Sequence, residues 1–274
     1  MPELPEVETV VRLLRPSLIG HAITGTEVYW VRSIVPPEPL LFAGRLRDRV
    51  ILDMGRRGKW VVVTLGGGDT LLVHLRMSGR LMLESGVRTA DERHLRVRFL
   101  LDDGRALSFV DPRKFGRVVL TSRPDEVLGN LGPEPLEADF TVTHFGKLLT
   151  RRRGRIKTLL LDQTFIAGLG NIYTDEALWR AGIHPLREAN SLSHTENERL
   201  YRAIREVLSE AIAGGGTTLA DQSYRQPDGR RGEFADALAV YGRAGQPCLH
   251  CGTIIERLRL GQRSSYYCPV CQKF

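Results

Sequence analysis

The chain has 274 residues, of which 42% are hydrophobic and 26% charged, so it reads as a soluble globular protein with room for two domains, each with its own core. A net charge of +7, carried by clustered arginines, points to a polyanionic partner. A run of about 18 apolar residues is absent, which excludes a membrane-spanning helix, and the N-terminus lacks the basic-then-apolar pattern of a secretory signal; a cytosolic protein is expected.

The chain opens Met1-Pro2-Glu3-Leu4-Pro5-Glu6-Val7-Glu8-Thr9. Removal of Met1, which the small Pro2 side chain permits, exposes a secondary amine able to condense with an aldehyde carbon. Because an α-amino group has a reference pKa of about 7.7–8.0, part of it is uncharged near neutral pH. Glu3 then stands one residue away to move protons, whereas a retained Met1 makes the Pro2 nitrogen an amide and removes the nucleophile. Pro2 also fits as a proline leading into a helix, and both readings stay open on these residues alone.

From Pro5 to about Arg15, Val7, Val10, Val11 and Leu14 recur at helical spacing, with acids in the first turn. Past Gly20, short β-branched and aliphatic runs predict strands at Val50–Leu52, Trp60–Leu65, Leu71–Leu75, Leu95–Leu101, Ala106–Val110 and Val118–Leu120. Turn residues Gly66-Gly67-Gly68-Asp69 and Asp102-Asp103-Gly104 separate neighbours, so an antiparallel sandwich or barrel is expected. Asn130 to Leu136 breaks both periodicities and reads as a linker. Helices are predicted at about Thr141–Thr150, Ile156–Asp162, Asn171–Ala181 and Ser193–Ala213, the last ended by Gly214-Gly215-Gly216, and a long polar loop runs from Thr217 to about Asp236.

All four cysteines lie near the end, as Cys248-x-x-Cys251 and Cys268-x-x-Cys271. Two tight pairs with this spacing suit one structural zinc ion, closed by four thiolates; two disulfides are the alternative. His250 lies between the first pair and is read as exposed, since four cysteines already complete the shell.

These motifs together resemble the bacterial formamidopyrimidine-DNA glycosylases, and the resemblance covers the whole chain: the Met-Pro-Glu-Leu-Pro-Glu-Val-Glu-Thr opening, His74-Leu75-Arg76-Met77, Asp111-Pro112-Arg113-Lys114-Phe115-Gly116, Gly168-Leu169-Gly170-Asn171 and the cysteine pairs. It implies an α+β, multidomain fold: an N-terminal helix plus antiparallel β-sandwich, then a helical helix-two-turn-helix domain with a C-terminal zinc β-hairpin. The expected boundaries are a catalytic domain at 1–130, a linker at 131–136, the helix-two-turn-helix domain at 137–216, a lesion-recognition loop and connection at 217–243, and the zinc hairpin at 244–274.

The same resemblance implies base-excision repair: a bifunctional glycosylase and abasic-site lyase removing oxidised purines, 8-oxoguanine and formamidopyrimidines, through an N-terminal proline Schiff base with β,δ-elimination. Pro2, Glu3, Lys59 and Arg263 would be catalytic, with Lys59 assisting the first elimination and Arg263 the second. His74, His94, Arg113, Arg152 and Asn171 would contact DNA, Asn171 at a glycine turn whose backbone N–H groups face a phosphate. Met77, Arg113 and Phe115 would fill the void left by an extruded base, although without the resemblance Met77 and Phe115 read as ordinary core. Glu6 is read as a first-turn carboxylate with a share in ordering the site. Cys248, Cys251, Cys268 and Cys271 would bind one structural zinc, with no organic cofactor. The implied partner is damaged double-stranded DNA, with no membrane, for a monomer associated with the bacterial nucleoid.

Two departures from the family pattern stand out: Gln262 and Ser264 flank Arg263 where many members have glycines, and Ala220 stands where many have a basic residue. Two alternatives remain beside this reading, an endonuclease VIII-type glycosylase for oxidised pyrimidines and a non-enzymatic zinc-containing DNA-binding protein.

Overall fold

A computed structural model describes residues 2–36, 38–85 and 92–274. Met1, whose removal the sequence reading expects, lies outside them. The chain divides into two compact units, Met1–Asn130 with Gly214–Ala235, and Leu131–Ala213 with Asp236–Phe274.

The first unit opens with α1 (Leu4–Leu18), entered through Pro5, where a missing N–H costs nothing. Leu4, Val7, Val10, Val11, Leu14 and Leu18 are buried along one face, and the helix lies on the core of a nine-stranded sheet. The chain continues through β1 (Ala22–Val28), β2 (Ile34–Val35), α2 (Pro39–Leu46), β3 (Arg49–Arg57), β4 (Trp60–Leu65) and β5 (Thr70–His74). It then forms β6 (Arg80–Ser85), β7 (Leu95–Leu101), β8 (Arg105–Val110), β9 (Arg117–Thr121) and the short α3 (Asp125–Leu128).

Strand order is β2-β9-β5-β4-β3-β1-β7-β8-β6. The two halves meet where β1 and β3 share only two register pairs, Ala22 with Val50 and Ile23 with Arg49. Val61, Val63, Leu71, Val73 and Val118 from one half and Val97, Phe99, Leu107 and Phe109 from the other enter one buried cluster, which makes the sheet a sandwich. All pairings are antiparallel except β2 with β9, which is parallel. The polar loop predicted after Thr217 alternates buried and exposed residues: Thr217, Thr218, Tyr224 and Gln226 are all under a tenth exposed, and the Thr218 side chain folds the segment on itself, donating to Tyr224 O and accepting the Gly232 N–H.

The second unit contains α4 (Val142–Thr150), α5 (Ile156–Leu160), α6 (Asn171–Ala181) and α7 (His194–Ala213), followed by a hairpin of β10 (Glu256–Leu260) and β11 (Arg263–Tyr267). Gly182 ends α6 in the left-handed conformation. The cysteine module is fixed to α6 by a buried carboxylate: Glu176 accepts the N–H groups of Ala239, Val240 and Tyr241 at 2.8–2.9 Å. Burial pushes the Glu176 carboxyl up, and the three amides oppose that rise. Gln272 adds a second tie, donating to Ile183 O at 2.9 Å and accepting the Cys268 N–H at 2.8 Å.

Candidate active site and metal centre

Pro2 and Glu3 are buried at the head of α1. The Glu6 carboxylate fixes this end with both oxygens. Oε2 accepts the Glu3 N–H at 2.7 Å, the return half of a capping box, and Oε1 accepts the Thr217 N–H at 2.8 Å. Gly216, at φ +85°, permits that approach: a Cβ there would stand 3.0 Å from the Glu6 side chain and 3.0 Å from the Tyr224 ring. The Tyr224 hydroxyl donates to Gly215 O at 3.1 Å, and burial, reinforced by the Glu6 charge, pushes its pKa up. A first-turn carboxylate that the sequence alone explains as a helix starter thus joins the N-terminus to the segment after α7.

Lys59 follows Gly58, whose φ of +57° turns β3 into β4. Arg56 secures the turn, donating to Gly58 O at 3.1 Å and to Glu8 Oε2 on α1 at 3.0 Å. Arg56 is therefore a tie between α1 and the hairpin, and Lys59 is left 6% exposed. His74 ends β5, with its ring edge-on to Trp60 at 4.8 Å between centroids. Burial, followed by the Arg76 and Lys59 charges, lowers its pKa to about 3, so the ring is neutral at working pH. Because Nδ1 accepts the Arg76 N–H at 3.0 Å, the ring proton sits on Nε2, where it is a neutral donor.

Met77 and Phe115 are 37% and 50% exposed, which removes both from the core. Arg113 is also exposed, with its guanidinium 5.4 Å from the Phe115 ring centroid. His94 is half-buried beside this loop, and its carbonyl accepts the Asp111 N–H at 2.8 Å.

In the second unit Asn171 begins α6 and donates from Nδ2 to Ser264 O at 2.9 Å, so one of its two N–H groups braces the hairpin. Gln163 closes the preceding turn, accepting the Gly168 N–H at 3.0 Å and donating to Leu169 O at 2.8 Å. The Gly168 amide is therefore spent within the turn. Lys157 follows Arg151, Arg152, Arg153 and Arg155 in the sequence but does not share their exposure. It is fully buried, its Nζ 2.7 Å from Asp175 Oδ1 and 3.0 Å from Ser264 O. Burial raises the Asp175 carboxyl to about 6, against the Lys157 charge and the donors of Tyr266 and Ser265. Arg152 lies exposed after α4, and Arg263 lies exposed at the start of β11.

The four cysteine Sγ atoms lie within 4.8 Å of one another, with Cys248 to Cys271 at 3.9 Å and Cys251 to Cys268 at 3.5 Å. A tetrahedral zinc site with Zn–S of about 2.3 Å requires sulfurs about 3.8 Å apart, so the cluster fits one structural zinc ion and fits disulfides poorly. Trp179 Nε1 donates to Cys248 Sγ at 3.4 Å, a further donor to a thiolate.

Three family models match in chain order: the formamidopyrimidine-DNA glycosylase N-terminal domain over residues 1–118, its H2TH domain over 131–223, and the zinc finger found in FPG and IleRS over 245–273. A formamidopyrimidine-DNA glycosylase of Pelotomaculum thermopropionicum is 50% identical over 100% of this chain and 99% of its own length. The chain belongs to the formamidopyrimidine-DNA glycosylase family. Among solved structures, the MutM (Fpg) protein of Thermus thermophilus superposes with a TM-score of 0.89 at 44% identity, covering 99% of this chain and 98% of that one. Lactococcus lactis Fpg in complex with abasic-site DNA gives 0.91 at 35% identity, covering 99% and 100%.

Within this glycosylase, the first unit contains Pro2, Glu3, Lys59, His74, Met77, Arg113 and Phe115, while the second carries Asn171, Arg152, Arg263 and the cysteines. Sequence reasoning passed over the residues that hold these in place: Thr217 under Glu6, Gln163 under the glycine turn, Asp175 and Glu176 under the hairpin, and Asp111 beneath the Arg113 loop. Only the Asp-Pro-Arg start of the last loop carried a local signal, an Asp whose side chain caps its own backbone two residues on. Among the described residues, no helix is long and apolar enough to cross a membrane.

Proposed function

We propose that this glycosylase removes oxidised purines, 8-oxoguanine and formamidopyrimidines, from duplex DNA and then cuts the strand by β,δ-elimination. The observation that carries the reading is the buried Pro2-Glu3 terminus held by both oxygens of Glu6. With Met1 removed, the Pro2 nitrogen attacks C1′ of the lesion, the glycosidic bond breaks, and the base leaves with the bonding pair and takes up a proton. Glu3 protonates O4′ as the sugar ring opens, giving an iminium ion between Pro2 and C1′. That cation acidifies the C2′–H. Its loss expels the 3′ phosphate, and a second proton loss expels the 5′ phosphate. Water then hydrolyses the iminium and frees the amine.

Lys59 assists the first departure and Arg263 the second; His74, as a neutral Nε2–H donor, Arg152, His94 and Asn171 hold phosphates of the same duplex. The complexes of the Lactococcus relative with abasic-site and Fapy-dG DNA support this assignment of partner. Met77, Arg113 and Phe115 occupy the gap left by the extruded nucleotide, an apolar chain, a planar donor for the orphaned base and an aromatic wedge. One zinc held by the four cysteines stabilises the hairpin that presents Arg263. Place of action is the bacterial cytoplasm.

The test is product analysis on end-labelled duplexes carrying 8-oxoguanine opposite cytosine or thymine glycol opposite adenine. The reading predicts faster cutting of the 8-oxoguanine duplex and a gap with phosphate at both ends, and Pro2→Gly weakens cutting. Preference for thymine glycol would move the enzyme to the endonuclease VIII type, and base release without scission would remove the lyase step.

A further inference from the structure

Met77 and the Arg113–Phe115 pair sit on two different loops, one after β5 and one between β8 and β9, yet a single buried carboxylate serves both. Asp111 is fully buried. Its Oδ1 accepts the Ser78 hydroxyl at 2.6 Å and the Arg113 N–H at 3.2 Å, and its Oδ2 accepts the Gly116 N–H at 2.7 Å. Ser78 adjoins Met77; Arg113 and Gly116 bracket Phe115. The Asp111 backbone is also held, by His94 O at 2.8 Å and by Arg96 Nε at 2.8 Å, the latter from a side chain that is itself buried.

The two loops share an apolar floor as well. A Cβ at Gly79 would come within 2.9 Å of the Phe109 ring, and one at Gly116 would overlap it, so both loops lay bare backbone on the same buried aromatic. Between Arg113 and Phe115, Lys114 takes a left-handed backbone, φ +59°, and its ammonium lies 4.1 Å from the Trp30 centroid. Lys114 is thus engaged against Trp30, and it is exposed like its neighbours on either side.

We propose that Asp111 is a positioning residue that locks the two wedge loops in register, so that Met77 and the Arg113–Phe115 pair enter the base stack as one preformed unit. This rests on the wedge reading of those three residues. A preformed unit avoids the ordering cost that two independently moving loops incur on insertion, and it requires one acceptor common to both, which Asp111 supplies. A merely structural aspartate would stabilise each loop without making either depend on the other.

The experiment follows 2-aminopurine fluorescence beside 8-oxoguanine in a duplex, which rises as the stack opens, for the full-length protein. Met77→Ala and Phe115→Ala are measured singly and together, in the wild-type, Ser78→Ala and Asp111→Asn backgrounds, with thermal unfolding in parallel. The expected result is slowed opening in each single variant, with a double-mutant effect that departs from additivity by about tenfold in the wild type and falls to within about twofold of additivity once Ser78 or Asp111 is changed. Ser78→Ala removes the Asp111 tie to the Met77 loop, together with the 3.3 Å bond that Ser78 Oγ accepts from the Arg113 N–H, and spares the Asp111 bonds to Arg113 and Gly116, so it keeps the test alive if Asp111→Asn does not fold. Additive effects in the wild type, or a departure from additivity that survives Ser78→Ala, would overturn the role of Asp111 while leaving the wedge intact. If neither Met77→Ala nor Phe115→Ala slows opening, the wedge reading itself is wrong and the proposal falls with it.

Discussion

Glu6 and Thr217 are 211 positions apart, and the Thr217 N–H donates to Glu6 Oε1 at 2.8 Å. Since the other Glu6 oxygen takes the Glu3 N–H, one buried side chain fixes both the reactive end of the chain and the segment that follows α7.

Glu6→Gln retains the shape but leaves only one carbonyl oxygen for two N–H donors. A buried donor left unmade costs about 1–3 kcal/mol. Denaturant unfolding should register that loss, and single-turnover base excision should slow by roughly tenfold or more as the Glu3 backbone loosens. Wild-type excision in Glu6→Gln would show that this anchor does not set the geometry of the amine.

His74 gives a pH signature with a definite sign. Its pKa is about 3 in the folded protein and near the ordinary 6.5 unfolded, so between those values the unfolded chain binds more protons. Its contribution to stability is present above about pH 6.5 and is lost progressively as pH falls toward 3. Unfolding free energies across that window should fall less steeply in His74→Gln than in wild type. Because the folded ring stays neutral, the ratio of wild-type to variant DNA affinity should also stay constant from about pH 5 to 8; an affinity ratio that rises on acidification would mean an imidazolium contact.

Salt separates His74 from Arg263. An arginine on a phosphate releases a counterion, so Arg263→Ala should lower the slope of log affinity against log salt by about 1. Removal of a neutral donor, as in His74→Ala, should weaken binding with the slope unchanged. Equal slope changes in both variants would contradict the assignment of His74 as neutral.

Zinc removal has an internal reporter in Trp179, whose indole N–H meets Cys248 Sγ. Chelation should shift Trp179 emission and lower DNA affinity together, since Cys248 and Cys268 form a small core with Val240 and Ile255 beneath the hairpin that carries Arg263. Cys268→Ser should reproduce both changes. Full DNA affinity in protein shown to be zinc-free would remove the module from the binding surface.

Local chemistry was legible where a short motif contains its own reason. The cysteine spacing specifies a closed four-thiolate site, and Asn171–Ala181 has the glycine turn and period of a helix, which is where α6 lies. β4 and β7 match their apolar runs, but β1, β2 and β6 and the helix α2 were passed over. In β1, Ala22–Val28, only Ile23 is fully buried, and in β6, Arg80–Ser85, only Leu81 is, so neither shows the apolar run that marks a covered strand. Anchors such as Glu176, Asp175 and Thr217 act across 63 to 211 positions. Nothing within a few residues of them distinguishes a buried acceptor from a solvated charge. Lys157 shows the same limit in reverse, since it closes a run of exposed arginines in sequence and proves to be the buried partner of Asp175.

In the proposed reaction the Pro2 nitrogen forms a covalent bond with the sugar of an oxidised purine. Borohydride trapping of mass-verified, Met1-free protein on a duplex with 8-oxoguanine opposite cytosine, followed by peptide mapping, tests it most directly. The expected result is an irreversible adduct on the N-terminal peptide, absent with undamaged duplex; an adduct mapped to Lys59 or another lysine, or none despite cleavage of the strand, would rule out Pro2 as the nucleophile.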